Sequence, residues 1–179
     1  MVNQIALFAA VIAAINIAVF FARPGDSLAL QSVGYEPLTL LTFQFVHFGM
    51  SHLLENLLGL LFTAALAIEL DMDPRTFILA YFVGVFIAVP LLISFPAATI
   101  AGNSTGIFGA LAATLARARP MLPTRITYPV AILFIFSLTS YSLLTCGNCA
   151  LSTFRADIFH FAGFVTGAAV SFTSVRKHW

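Results

Sequence analysis

TFILAYFVGVFIAVPLLISF, residues 76–95, is a continuous apolar run in which polar and apolar positions do not alternate. A strand of a membrane barrel must alternate, because one face meets lipid and the other the lumen. The run therefore reads as a helix, and about 20 mostly apolar residues are enough to cross the hydrocarbon of a bilayer. Working outward in both directions, similar runs lie at residues 4–22, 51–70, 104–116, 127–145 and 158–173. The fold class this predicts is an all-α membrane protein, a tight bundle of six transmembrane helices. No repeat, low-complexity linker or second domain interrupts it, so residues 1–179 read as one domain.

Composition agrees. The chain is 60% apolar and only 8% charged, where a soluble domain carries about 25% charged residues, which excludes an ordinary cytosolic enzyme. Its net charge of +1 comes from eight basic and seven acidic residues. That leaves no basic surplus for phosphates, so nucleic acid is not an expected partner and the lipid bilayer is. The first apolar run lacks a positive leader region and a clear small-residue cleavage site, and reads as a retained helix.

The fourth span is short: about thirteen residues separate Ser104 from Arg117, less than the hydrocarbon thickness at about 1.5 Å per residue. Either residues 96–102 descend into the membrane as irregular backbone, so that the helix starts below the surface, or the helix is merely short and tilted with Ser104 as its N-cap. The basic residues set the orientation. Arg75, Arg117, Arg119, Arg125, Arg176 and Lys177 fall on one side, read as cytoplasmic, and Arg23 and Arg155 on the other. Both termini are then cytoplasmic, in a multi-pass protein of the cell membrane. The long first connection is extracytoplasmic, and its half-apolar stretch from Leu38 to Val46 suits the membrane interface.

With so few ionisable groups, those inside apolar runs need an explanation. His47-Phe-Gly-Met-Ser-His52-Leu-Leu-Glu55-Asn56 enters the second span, and a helix puts His52 and Asn56 on one face, one turn apart. Two side-chain donors then point at one spot, or else a polar pair ties helices together. Gly102-Asn-Ser104-Thr-Gly106-Ile-Phe108-Gly109-Ala110 opens the fourth span. A serine there sits beside free backbone N–H groups and the positive end of the helix dipole, an environment that stabilises an oxyanion. The small residues equally suit close helix packing, and no strand precedes the serine as a hydrolase nucleophile elbow requires.

Asp157-Ile-Phe-His160-Phe-Ala-Gly163-Phe-Val-Thr-Gly167 opens the last span. Gly163 and Gly167 form a small face with His160 about one turn above it. If that face packs on the glycines of the fourth span, His160 meets Ser104 at the same depth. Histidine, with an ordinary pKa near 6.5, is the usual base for a serine nucleophile. Asp157 is expected at the membrane interface rather than behind His160, which leaves a Ser–His dyad. Cys146 and Cys149, in the loop before this span, cannot complete a four-ligand zinc site. A disulfide between them is one alternative, and no metal or cofactor is expected.

In order and topology, His47, His52 and Asn56, then Gly-x-Ser104 at a helix start, then His160-x-Ala-Gly163-x-x-x-Gly167 on the last helix, the chain resembles the rhomboid intramembrane serine proteases. The resemblance implies a six-helix core with Ser104 as nucleophile and His160 as general base. It implies an oxyanion hole from His52, Asn56 and the backbone around Gly102 and Ser104. By the same resemblance Phe108, at a position usually Tyr, packs on the catalytic histidine, His47 is structural, and Glu69 ties the cytoplasmic side together. The chain also departs from the pattern elsewhere. The first-loop Trp-Arg pair is absent near Leu38-Thr39, Thr105 follows the nucleophile where Gly is usual, and Glu55, free to pair with His52 or to reach water, stands where relatives are apolar.

The function implied is an intramembrane endopeptidase acting on transmembrane or membrane-proximal segments of membrane proteins. A catalytically inactive relative that binds membrane clients would not need the nucleophile and base together. A transporter using the histidines as a proton path would leave Gly-x-Ser104 and the glycine faces unexplained.

Overall fold

A computed structural model describes residues 3–22, 25–34, 36–92, 94–95, 98–137, 140, 144 and 150–175. The chain is mostly helical. Helix α1 (Gln4–Ala22) is apolar all round and buries only Ile5, Ala9, Ile12 and Asn16. The first connection carries a 3-10 turn (Gly25–Leu28), strand β1 (Leu30–Gln31), a one-turn helix α2 (Thr39–Thr42) and a second 3-10 turn (Phe43–Phe45). Then follow α3 (Met50–Glu69), α4 (Pro74–Phe86), α5 (Ala88–Leu92), strand β2 (Thr99–Ile100), α6 (Ser104–Arg117), α7 (Thr124–Ile135) and α8 (Ala150–Val175).

Among the described residues, four segments are long and apolar enough to cross a membrane: Gln4–Ala22, Met50–Glu69, Pro74–Leu92 and Phe154–Thr173. The protein is thus a multi-pass integral membrane protein. The remaining long helices, α6 and α7, have 14 and 12 residues.

Three boundaries differ from those read in the sequence. Residues 76–95 are not one helix: α4 stops at Phe86 and α5 resumes at Ala88. Pro90 explains the break, because its ring crowds the carbonyl four residues back, which is that of Phe86. Ser94 and Phe95 then form a turn, their N–H groups bonding Leu91 and Leu92 carbonyls at 3.0 and 2.9 Å. The fifth span begins early, at Thr124, and α7 closes at Ile135 with Phe136 as its cap. The last helix begins at Ala150, well before residue 158. Arg155 and Asp157 mark where polarity rises, but neither breaks a helix.

The turn between α3 and α4 is built from local chemistry. Asp71 takes a left-handed conformation (φ 47°), Met72 N–H reaches Ala67 O at 2.9 Å and Asp71 N–H reaches Ile68 O at 3.1 Å, closing α3 with its last carbonyls satisfied. Asp73 caps α4, accepting from Thr76 N–H and Thr76 Oγ1 at 2.9 Å each, with Pro74 in the first turn. Met72 lies under the far end of α6, where the Thr114 hydroxyl meets its sulfur at 3.3 Å.

Helices α4, α6 and α8 pack backbone to backbone through small residues. A Cβ at Gly84 would stand 2.7 Å from the Thr105 carbonyl oxygen, and one at Gly106 would stand 2.9 Å from the Tyr81 carbonyl oxygen. A Cβ at Gly163 or Gly167 would overlap the carbonyls of Thr105 or Gly109. Ala80, Ala110, Ala112 and Ala113 fill the same seams, fully buried. Close approach of this kind holds helices together in lipid, where apolar burial supplies little drive.

The first connection is tied to the stretch that leads into α6. β1 pairs antiparallel with β2, Leu30 opposite Ile100 and Gln31 opposite Thr99. Ser32 N–H donates to Ala98 O (2.9 Å) and Ala98 N–H to Ser32 Oγ (3.1 Å). Gly102 N–H donates to Phe43 O at 2.9 Å. These bonds, all but the one to Ser32 Oγ between main-chain groups, do the anchoring in a loop that lacks the Trp-Arg pair. They also satisfy the non-helical backbone before Ser104, as burial against protein demands. In α2 and its flanks, Thr39, Phe43 and Gln44 turn inward while Leu38 and Leu41 are exposed.

Candidate functional site

Ser104 is the first residue of α6, so its neighbours' N–H groups have no partner within the helix. The glycine contacts between α6 and α8 bring His160 over it: His160 Nε2 lies 2.8 Å from Ser104 Oγ. Phe108, one turn down α6, lies against the imidazole with ring centroids 4.8 Å apart. A serine hydroxyl in hydrogen-bond contact with an imidazole nitrogen can pass its proton to that nitrogen as the oxygen attacks an electrophile.

Gly102 joins α3 to this pair. Its φ is +93°, and a Cβ there would stand 2.8 Å from His52 Nε2 and 3.8 Å from Asn56 Nδ2. Only glycine accepts both the backbone angle and the approach. The Asn56 amide nitrogen donates to its own helix, to His52 O at 2.8 Å, which occupies one of its two N–H groups. His47 is buried in the loop before α3, with Nδ1 3.2 Å from Phe45 O and its ring 5.0 Å from that of His52. Burial, with the neighbouring His52, pushes the His47 imidazole down to about 4.

A cavity of about 480 Å³ opens beside the pair. His52, Gly102, Ser104, Thr105 and His160 line it with Phe95 and Phe159, and so do two exposed charges, Glu55 from α3 and Arg155 from α8. Arg155 lies over the Phe95 ring, 5.9 Å from its centroid. Among the described residues Glu55 and Glu69 form no ion pair. Glu69 is exposed at the end of α3. No group of three metal-ligating side chains occurs among the described residues. Cys146 and Cys149 lie outside them.

Two features escaped the sequence reading. Asp157 is buried within the protein, 1% exposed, and stands behind His160, its Oδ1 3.9 Å from His160 Nδ1. Their three-residue spacing was the available signal, since it places both on one helix face. The second is a buried hydrogen bond beneath the start of α6, from Asn103 Nδ2 to the Tyr81 hydroxyl at 2.9 Å. A tyrosine inside an apolar span must find a partner, and Asn103 supplies it.

Helices that cross a bilayer, a half-buried serine at a helix start and an imidazole packed on it define a class of polytopic membrane protein with a polar site within its helical core. The model of the Rhomboid domain matches residues 35–177, most of the chain. The chain belongs to the rhomboid family. Searches of curated proteins and of solved structures return no match.

Proposed function

We propose that the protein is an intramembrane serine endopeptidase that cleaves transmembrane or membrane-proximal segments of other membrane proteins by a Ser104–His160 dyad. The observation that carries this reading is the 2.8 Å contact of His160 Nε2 with Ser104 Oγ, at a helix start that lines a cavity. Ser104 is the nucleophile and His160 the base that later protonates the leaving amine. The free N–H groups at the start of α6, with His52, Asn56 and the Gly102 backbone, form the oxyanion site. Phe108, His47, Gly163 and Gly167 support the pair.

The membrane arrangement belongs to the same proposal. One domain spans the membrane six times, with α6 beginning below the surface and the site open to the extracytoplasmic side. Both termini are cytoplasmic, in the cell membrane. Met72 against Thr114 puts the α3–α4 turn and the far end of α6 together, consistent with Arg75 and Arg117 sharing the cytoplasmic side. A substrate helix must unwind to present its carbonyl, so segments with Gly or Pro near the cut are favoured.

The test is labelling by a serine-directed fluorophosphonate, alongside cleavage of a model transmembrane substrate in lipid. Wild type is expected to label and cleave, and Ser104→Ala and His160→Ala to do neither. A folded wild type that binds substrate but neither labels nor cleaves would make the protein an inactive client-binding relative. Labelling that survives His160→Ala would overturn the dyad.

A further inference from the structure

From the buried carboxylate beside the imidazole we infer that Asp157 is a positioning residue for His160. It keeps the imidazole proton on Nδ1, so that Nε2 is left to accept from Ser104, and it stabilises the imidazolium formed during attack. The inference rests on the Ser104–His160 reading of the site.

Three observations meet here. One imidazole nitrogen, Nε2, is 2.8 Å from Ser104 Oγ, and the other, Nδ1, is 3.9 Å from Asp157 Oδ1. Asp157 is 1% exposed although it lies within a span-length apolar helix, where a carboxylate is costly. Phe108 packs against the ring, so the imidazole is held between α6 and the acid. At 3.9 Å the contact is too long for a hydrogen bond. It acts through charge, which is screened little in a buried setting. A negative group on that side favours the tautomer whose N–H dipole faces it. His52, Glu55 and Arg155 also line the cavity. Asp157 is the acid within 4 Å of the imidazole among the described residues.

The proton inventory closes without another reactant. As Ser104 Oγ bonds to the scissile carbonyl carbon, its proton moves to His160 Nε2, and both ring nitrogens then carry hydrogen. Asp157 neither takes nor gives a proton in these steps. When the C–N bond breaks, the Nε2 proton leaves with the amine. Water repeats the sequence on the acyl-enzyme, giving its proton to Nε2 and returning it to Ser104.

Asp157→Asn keeps the size of the side chain and one acceptor oxygen while removing the charge, and the thermal midpoint reads any structural loss separately from the chemistry. In full-length protein in lipid, kcat is expected to fall about 10- to 100-fold with KM and thermal midpoint unchanged, and fluorophosphonate labelling to slow in parallel. Asp157→Glu, which keeps the charge, is expected to retain more activity than Asp157→Asn. Nitrogen-15 NMR of histidine-labelled wild type, with His160 assigned by a His160→Asn variant, is expected to show the Nδ1–H form, and Asp157→Asn to lose that bias. Wild-type kcat in Asp157→Asn, or an Nε2–H form of His160 in wild type, would overturn the inference. Because the NMR readout needs no turnover, it judges Asp157 even if the wild type proves unable to cleave, an outcome that would count against the protease reading alone. If Asp157→Asn fails to fold, Asp157→Glu and the wild-type tautomer decide.

Discussion

Gly163 rests on the backbone of Thr105 so closely that one added methyl group would overlap the Thr105 carbonyl. Thr105 follows Ser104 and Gly163 is one turn beyond His160, so this contact sets how near the imidazole comes to the hydroxyl. One turn further along, Gly167 repeats the contact on Gly109. Distance at the site is a product of helix packing, and small changes in the seam are expected to reach the chemistry.

Gly167→Val tests the seam away from the site. Its side chain would collide with the Gly109 carbonyl, and backbone on both sides leaves little room to relax. A loss of about 3 kcal/mol or more is expected, read as a large fall in thermal midpoint in detergent. Full stability in this variant would mean that α6 and α8 are not packed as described.

Gly102→Ala tests the joint between α3 and the start of α6. Alanine must adopt φ +93° and place its Cβ 2.8 Å from His52 Nε2. The backbone cost is about 1–2 kcal/mol, and His52 must move. Cleavage is expected to drop about tenfold or more, with substrate affinity little changed, in a steady-state assay separating kcat from KM.

Asp73→Ala removes the cap of α4 and is expected to cost about 1 kcal/mol without altering fluorophosphonate labelling. Burial raises the Asp73 carboxyl, but the hydrogen bonds from Thr76 and the nearness of Arg75 outweigh it and hold the group below its ordinary value of 3.8. A depressed carboxyl binds its proton less readily in the folded state. The cap is therefore at full strength above about pH 4 and fades as the pH falls through the lower folded value. Unfolding midpoints across that window should fall less steeply in Asp73→Ala than in wild type.

His47 gives a second acid-side dependence at higher pH. Its folded value of about 4 lies below the ordinary 6.5, so between those values the unfolded chain binds a proton that the folded chain refuses. Stability is full above about pH 6.5 and declines as the pH falls toward 4. Denaturation midpoints at pH 7 and pH 5 should differ more in wild type than in His47→Gln. Equal differences would show that the imidazole is not shielded.

The sequence by itself determined the membrane character, most of the helices and the residues that meet at the site. Those properties are local: apolar runs of span length, a serine at a helix start, and glycines spaced to share a face. Even the Ser104–His160 encounter was legible, because two small faces on separate helices have few other ways to pack. Only the tertiary structure decided what depends on distant partners. The β1–β2 pairing and the Gly102–Phe43 bond anchor a loop whose own sequence names no anchor, because main-chain hydrogen bonds are available to any residue. Asp157 turned inward because α8 begins at Ala150 and carries it into the protein, whereas charge alone had placed it at the membrane surface. The position of an acid along a chain says how costly burial would be, and the packing of its helix decides whether that burial occurs.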